Sequence, residues 1–94
     1  MDKFMVICTF KEGTVMSDVY GVVAEEQAKA SELQSVGKLG SIHLATLSRG
    51  TVFIETFASS VEEAASIVQS LPMAVWWDID VYPLSAPSKP RAES

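Results

Sequence analysis

The chain opens on a run that is apolar at odd and even positions alike. In KFMVICTF, residues 3–10, Phe4, Val6, Cys8 and Phe10 fall on one side of an extended backbone and Met5, Ile7 and Thr9 on the other, because successive strand side chains point to opposite faces. That pattern predicts a strand covered on both faces, and so central in its sheet. Gly13 in EGT, residues 12–14, supplies the turn that follows. From Ser17 the period becomes helical, with Ser17 or Asp18 as N-cap and Gly37 as the stop after Val36. The apolar stripe of this helix is Val19, Val22, Val23, Ala30 and Leu33. A step of about 100° per residue sets Glu26 within about 20° of both Val19 and Leu33, in the middle of the stripe. Glu25 lies off the stripe and is placed to pair with Lys29 one turn on.

Residues Ser41–Leu47 alternate weakly, SRG at Ser48–Gly50 marks a turn, and Thr51–Phe57 is again apolar on both parities. The two segments read as a hairpin. Ser60 with Glu63 forms a capping box that opens a second helix, whose stripe is Val61, Ala64, Ala65, Val68 and Leu71, with Pro72 just past its end. The last strand runs from Val75 to Tyr82; alternation sends Trp77, Ile79 and Val81 one way and Trp76, Asp78, Asp80 and Tyr82 the other.

The order β-α-β-β-α-β predicts an α+β, ferredoxin-like fold, an antiparallel sheet with both helices on one face. The other face then carries large apolar groups, so a second copy of the chain is expected to cover it. One tryptophan would face the helices and the other the space between the two sheets.

Composition narrows the functions. With 94 residues the chain forms one domain, here residues 1–84. From residue 85 on, Ser, Ala, Pro and charges replace the apolar pattern, which predicts a mobile or interface tail over 85–94. A net charge of −5 with no Lys or Arg cluster argues against nucleic acid and anionic membranes as partners, since both require a concentrated positive field. The single Cys8 cannot form an internal disulfide and reads as a buried, inert thiol. There is neither a signal-peptide pattern nor an apolar run of membrane-spanning length, so a cytoplasmic protein is expected.

Candidate chemistry rests on few residues. A carboxylate centred on an apolar stripe is desolvated, which raises its pKa toward the range useful for proton transfer; Glu26 is therefore the leading candidate base. The competing reading sets it at the stripe's edge or in an ion pair. Asp78 and Asp80, about 7 Å apart on one face, are either a carboxylate pair that divides acid and base roles or a solvated edge. His43, the one histidine, lacks a second ligand at metal spacing and is either an acid–base group or a hydrogen-bonded structural residue. The tryptophans, Trp76 and Trp77, and the tyrosines are candidates to line an apolar ligand pocket, although core packing is the default for strand aromatics. Nucleotide-loop, serine-hydrolase and zinc motifs do not occur.

Two blocks carry a family resemblance. SVEEAASIVQSLPMAVWWDIDVYPL, residues 60–84, resembles the helix, Leu-Pro break and last strand of muconolactone delta-isomerases. AEEQAKASELQSVG, residues 24–37, is similar to the ungapped first-helix pattern of the same family. The resemblance implies a dimeric α+β barrel that associates further, typically to a decamer, and a cofactor-free, metal-free shift of a proton within a small unsaturated lactone. It also implies that Glu26 is the helix carboxylate that moves the proton; such a transfer needs a donor to the developing enolate, for which His43, Tyr82 or a backbone amide are the candidates. KLGSIHL, residues 38–44, stands where the family carries a Trp- and Arg-rich segment. Lys38 and Arg49 are then the candidates to meet a substrate carboxylate, beside Trp76, Asp78 and Tyr82 in a binding role. The leading expectation is an isomerase for a muconolactone-like or a larger, less anionic lactone. The rivals are a cyclase or cofactor-free oxygenase acting on a polyketide-like or aromatic compound, and a non-catalytic oligomeric binding module.

Overall fold

Four antiparallel strands form one sheet in a computed structural model that describes residues 1–85. The strands are β1 (Asp2–Phe10), β2 (Leu39–Ala45), β3 (Thr51–Ala58) and β4 (Trp77–Pro83), in the spatial order β2-β3-β1-β4. The doubly apolar strands β3 and β1 take the two central places, as their patterns require. This is the ferredoxin-like α+β arrangement. The tail expected over 85–94 lies, beyond Ser85, outside the described residues.

Register decides which residues meet. Val6 lies opposite Ile54 and Val81, and Cys8 opposite Val52 and Ile79. Phe4, Val6, Cys8, Val52 and Ile54 are thereby buried beneath the helices together with Trp77. Burying a side chain such as Ile54 contributes about 1.5–3 kcal/mol. On the opposite face Met5, Ile7, Phe53 and Phe57 stay only partly covered, and Tyr82 is exposed.

The helical region corrects the single helix expected from Ser17 to Val36. It is two helices, α1 (Met16–Tyr20) and α2 (Val23–Ser35), broken at Gly21 and Val22. Glycine in a helix interior costs about 0.5–1 kcal/mol relative to alanine, which weakens the helix there, and Val22 departs from helical dihedrals at φ −114° and ψ 12°. The stop at Gly37 is as expected: with φ 78°, it lets its own N–H reach the Gln34 carbonyl and that of Lys38 reach the Leu33 carbonyl.

In place of the turn expected at Ser48–Gly50, the hairpin closes through a helical turn, α3 (Thr46–Arg49). The helix α4 (Val61–Gln69) starts on the expected cap: the Glu63 N–H donates to Ser60 Oγ at 3.1 Å. The return bond differs by one residue, because Glu63 Oε1 accepts from the Ser59 N–H at 2.8 Å. Pro72–Trp76 is a short 3-10 helix, so β4 begins at Trp77 instead of Val75. Trp76 therefore takes no part in the strand's alternation.

Candidate active site

Between the covered face of the sheet and helices α1 and α2 lies a cavity of about 530 Å³. Val19, Val23, Glu26 and Ala30 line it from the helices, and Ile42, Val52 and Ile54 from the sheet. Phe10, Met73 and Trp77 complete its deep wall, whereas Tyr20, Leu44 and Leu47, all well exposed, stand at its mouth. Glu26 is the one carboxylate on this wall, and among the described residues no Lys, Arg or His lines the cavity.

The sequence builds the setting of Glu26 from two places. Its position in the first turn of α2 is set by the Glu26 N–H donating to the Val22 carbonyl at 2.8 Å. The Leu71-Pro72 break supplies the second element. Proline has no N–H, and a short helix leaves its first N–H groups without internal acceptors, so the Met73 N–H is free to donate. It donates to Glu26 Oε1 at 2.8 Å. Two effects then oppose each other on a half-buried carboxylate. Desolvation raises its pKa and the Met73 hydrogen bond lowers it; desolvation is the larger, and the Glu26 carboxyl is held above the ordinary carboxylate range. Among the described residues Glu26 has no cationic partner, and its second oxygen has no hydrogen-bond donor.

Such an oxygen, on an apolar wall and with a raised proton affinity, is equipped to take a proton from carbon and to return it. The nearby thiol is not. Burial, with the Glu26 charge adding to it, pushes Cys8 up to about 12, so thiolate is scarce at neutral pH.

The other expected site residues do not gather here. His43 pairs across the sheet with Phe53 and lies on the open face, since its neighbour Ile42 is the one that lines the cavity. Asp78 and Tyr82 stand opposite Thr9 and Met5, also on the open face, and both are exposed. Asp80 is exposed on the same edge strand. Lys38 follows α2 at the surface and borders a shallow groove on the outside of α2 and α4. Arg49 is exposed in α3 and does not line the cavity. Trp76 is half-buried in the 3-10 helix, outside the cavity wall.

Trp77 does line the cavity, as the aromatic-pocket reading allows, whereas the sequence points to Trp76 for the binding role. The parity of Trp77 with Ile79 and Val81 was the available signal, and it meant a place beneath the helices. Met73 had no side-chain signal at all, because it acts through its backbone.

A family model described as muconolactone delta-isomerase matches residues 3–89. The chain belongs to the muconolactone delta-isomerase family. Its fold is also that of a solved member: a crystal structure of muconolactone isomerase at 3.3 Å resolution superposes with a TM-score of 0.71 at 24% sequence identity, covering 96% of each chain. No curated protein gives a significant sequence match. The family and the fold support an isomerase-type function. Within the family, the charged groups expected from sequence to meet a substrate carboxylate, Lys38 and Arg49, stand apart from the cavity that holds Glu26. Among the described residues no helix is long and apolar enough to cross a membrane, and no cluster of three or more metal-ligating side chains occurs.

Proposed function

We propose that the protein isomerises an uncharged, unsaturated lactone or a related enone by moving one proton through the Glu26 carboxylate. The observation that carries this reading is a single half-buried carboxylate, held by the Met73 N–H, on the wall of a largely apolar cavity whose other polar side chains are those of Tyr20, Gln27 and Thr46. In the reaction Glu26 takes a proton from the ring carbon next to the double bond. The C–H electron pair moves through the ring onto the carbonyl oxygen, and the dienolate so formed takes the proton back at the other end of the conjugated system. The substrate is uncharged on electrostatic grounds. A substrate carboxylate would lie beside ionised Glu26 in a low-dielectric space with no cation among the described residues to offset it.

The cavity is also larger than a five-membered lactone needs, and this favours a second reading with the same base: enolisation of a bulkier aromatic or polyketide-like ketone in a cyclase. A binding module in which Glu26 is only structural would have the carboxylate in an ion pair, and no such pair forms among the described residues.

Rates of isomerisation of α-angelica lactone, which has no carboxyl group, and of its carboxymethyl analogue decide between substrate classes. The expected result is a higher kcat/KM for the uncharged lactone; preference for the carboxymethyl compound would overturn the assignment of an uncharged substrate. The reading includes assembly. Met5, Ile7, Phe53 and Phe57, half-covered on the open sheet face, form an apolar surface that a second copy of the chain would bury.

A further inference from the structure

The cavity uses neither His43 nor Asp80, yet the strand register puts the two in one line. His43 on β2 lies opposite Phe53 on β3, Phe53 opposite Ile7 on β1, and Ile7 opposite Asp80 on β4. These four residues cross the whole sheet on its open face, an apolar pair between an imidazole at one edge and a carboxylate at the other. His43 and Asp80 are exposed, whereas Phe53 and Ile7 are half-covered. Three strand spacings, about 14 Å, separate His43 from Asp80, so the two cannot meet within one chain. Among the described residues neither enters an ion pair. Lys3 and Glu55, on the same face, are already paired with each other at 3.4 Å, while Asp78 joins Asp80 on the β4 edge.

We infer that two copies of the chain pack their open faces about a two-fold axis running along the strands, so that His43 of each donates a hydrogen bond to the Asp80 carboxylate of the other. This rests on the reading above that a second copy covers the face, and adds how the two copies are turned. Sheets that pack face to face with mean strand directions within about 30° of each other have two simple symmetric arrangements. An axis across the strands stacks β4 on its own copy. Four carboxylates then gather, Asp78 and Asp80 from each side, and like charges so placed oppose association. An axis along the strands reverses the strand order of one sheet over the other, so that β2 lies over β4 and β3 over β1. The row is then complementary to itself: Phe53 packs on Ile7 at the centre, and a His43–Asp80 contact closes each end. Packed sheets lie about 10 Å apart, a gap that these two side chains span when they reach from opposite sides. An imidazole N–H donates to a carboxylate whether the ring is neutral or charged. An apolar centre inside a polar rim is also how stable interfaces are built.

The test is a charge-exchange cycle on the full chain, with the dimer dissociation constant read by sedimentation velocity and folding checked by circular dichroism. His43→Asp sets carboxylate against carboxylate, and Asp80→His sets imidazole against imidazole. Each should raise the dissociation constant about tenfold or more. The chain that carries both exchanges restores the complementary pair and should associate nearly as tightly as the wild type. No change in either single variant, or a double variant as weak as the sum of the singles, overturns the pairing. Tighter association of Asp80→His than of the wild type overturns the axis, because only β4 stacked on β4 gains when a carboxylate is removed. Phe53→Lys in the same assay separates the two readings. Dimers lost with Phe53→Lys but indifferent to the cycle would uphold the covered face and defeat the His43–Asp80 contact. A wild type that stays monomeric at every concentration would overturn both.

Discussion

Glu26 stores a cost that its function explains. The folded chain holds the Glu26 proton more tightly than the unfolded chain does, because partial burial disfavours the carboxylate more than the Met73 N–H favours it. Between the ordinary carboxylate pKa and the raised one, the native state therefore binds more protons, and stability falls as pH rises through that window, then levels off. Glu26→Gln is neutral, and its amide oxygen can still accept from the Met73 N–H. Thermal unfolding followed from about pH 4 to about pH 8 should show the variant gaining on the wild type across the window, with its Tm the higher of the two at neutral pH. Parallel curves would contradict the partial desolvation of Glu26. The place of this residue on the cavity side follows from the 100° step back from Leu33 within α2, whereas Val19, which the pattern puts on the same helix, belongs to α1 beyond the break. The tryptophans were legible only in part. Parity places Trp77 with Ile79 and Val81, but the apolar pattern begins the strand at Val75, two residues before β4 starts, because Pro72 opens a 3-10 helix that ends at Trp76.

The elements show what a hydrophobic pattern conveys and what it omits. Doubly apolar β1 and β3 announced their central places, and the Ser60 cap and the Gly37 stop bounded helices correctly because each satisfies identifiable backbone groups. The break at Gly21 escaped notice because the apolar positions on either side stay in phase with a continuous helix. The break matters for the site, since α1 then contributes Met16 and Tyr20 to the cavity mouth. Gly40 shows a different constraint: a Cβ there would collide with the Glu55 carboxylate and the Phe57 ring, at the irregular pairing between Leu39 and Ile42. Glu55 also accepts from the Ser41 N–H and pairs with Lys3 at 3.4 Å, so a polar contact lies among the apolar side chains of the open sheet face, between Phe53 and Phe57 and opposite Met5. If a second copy covers that face, Phe53→Lys should shift light-scattering mass toward the monomer while leaving the far-UV circular dichroism unchanged. An unaltered mass for a protein that is oligomeric in its native form would place the contact elsewhere.

For the whole molecule, the fold divides its two apolar surfaces between two tasks. The covered face of the sheet and the helices enclose a cavity with one carboxylate, and the open face offers area for assembly. Hydrophobic periodicity is enough to reach the antiparallel sheet and the central place of β1, while the full order β2-β3-β1-β4 comes from the structure. It did not reach the cavity wall, which depends on backbone groups such as the Met73 N–H and on which strand residues face the helices. Glu26 accordingly lines the cavity, as its place on the helical stripe predicts, whereas His43, Asp78, Tyr82, Lys38 and Arg49 lie elsewhere. The most direct test of the central claim is a ¹H NMR time course in D₂O with α-angelica lactone, comparing the wild type with Glu26→Gln. The wild type should carry deuterium into the lactone at the carbons alpha and gamma to its carbonyl, and folded Glu26→Gln should not exceed the uncatalysed rate. Equal exchange by the two proteins would show that the proton moves through another group.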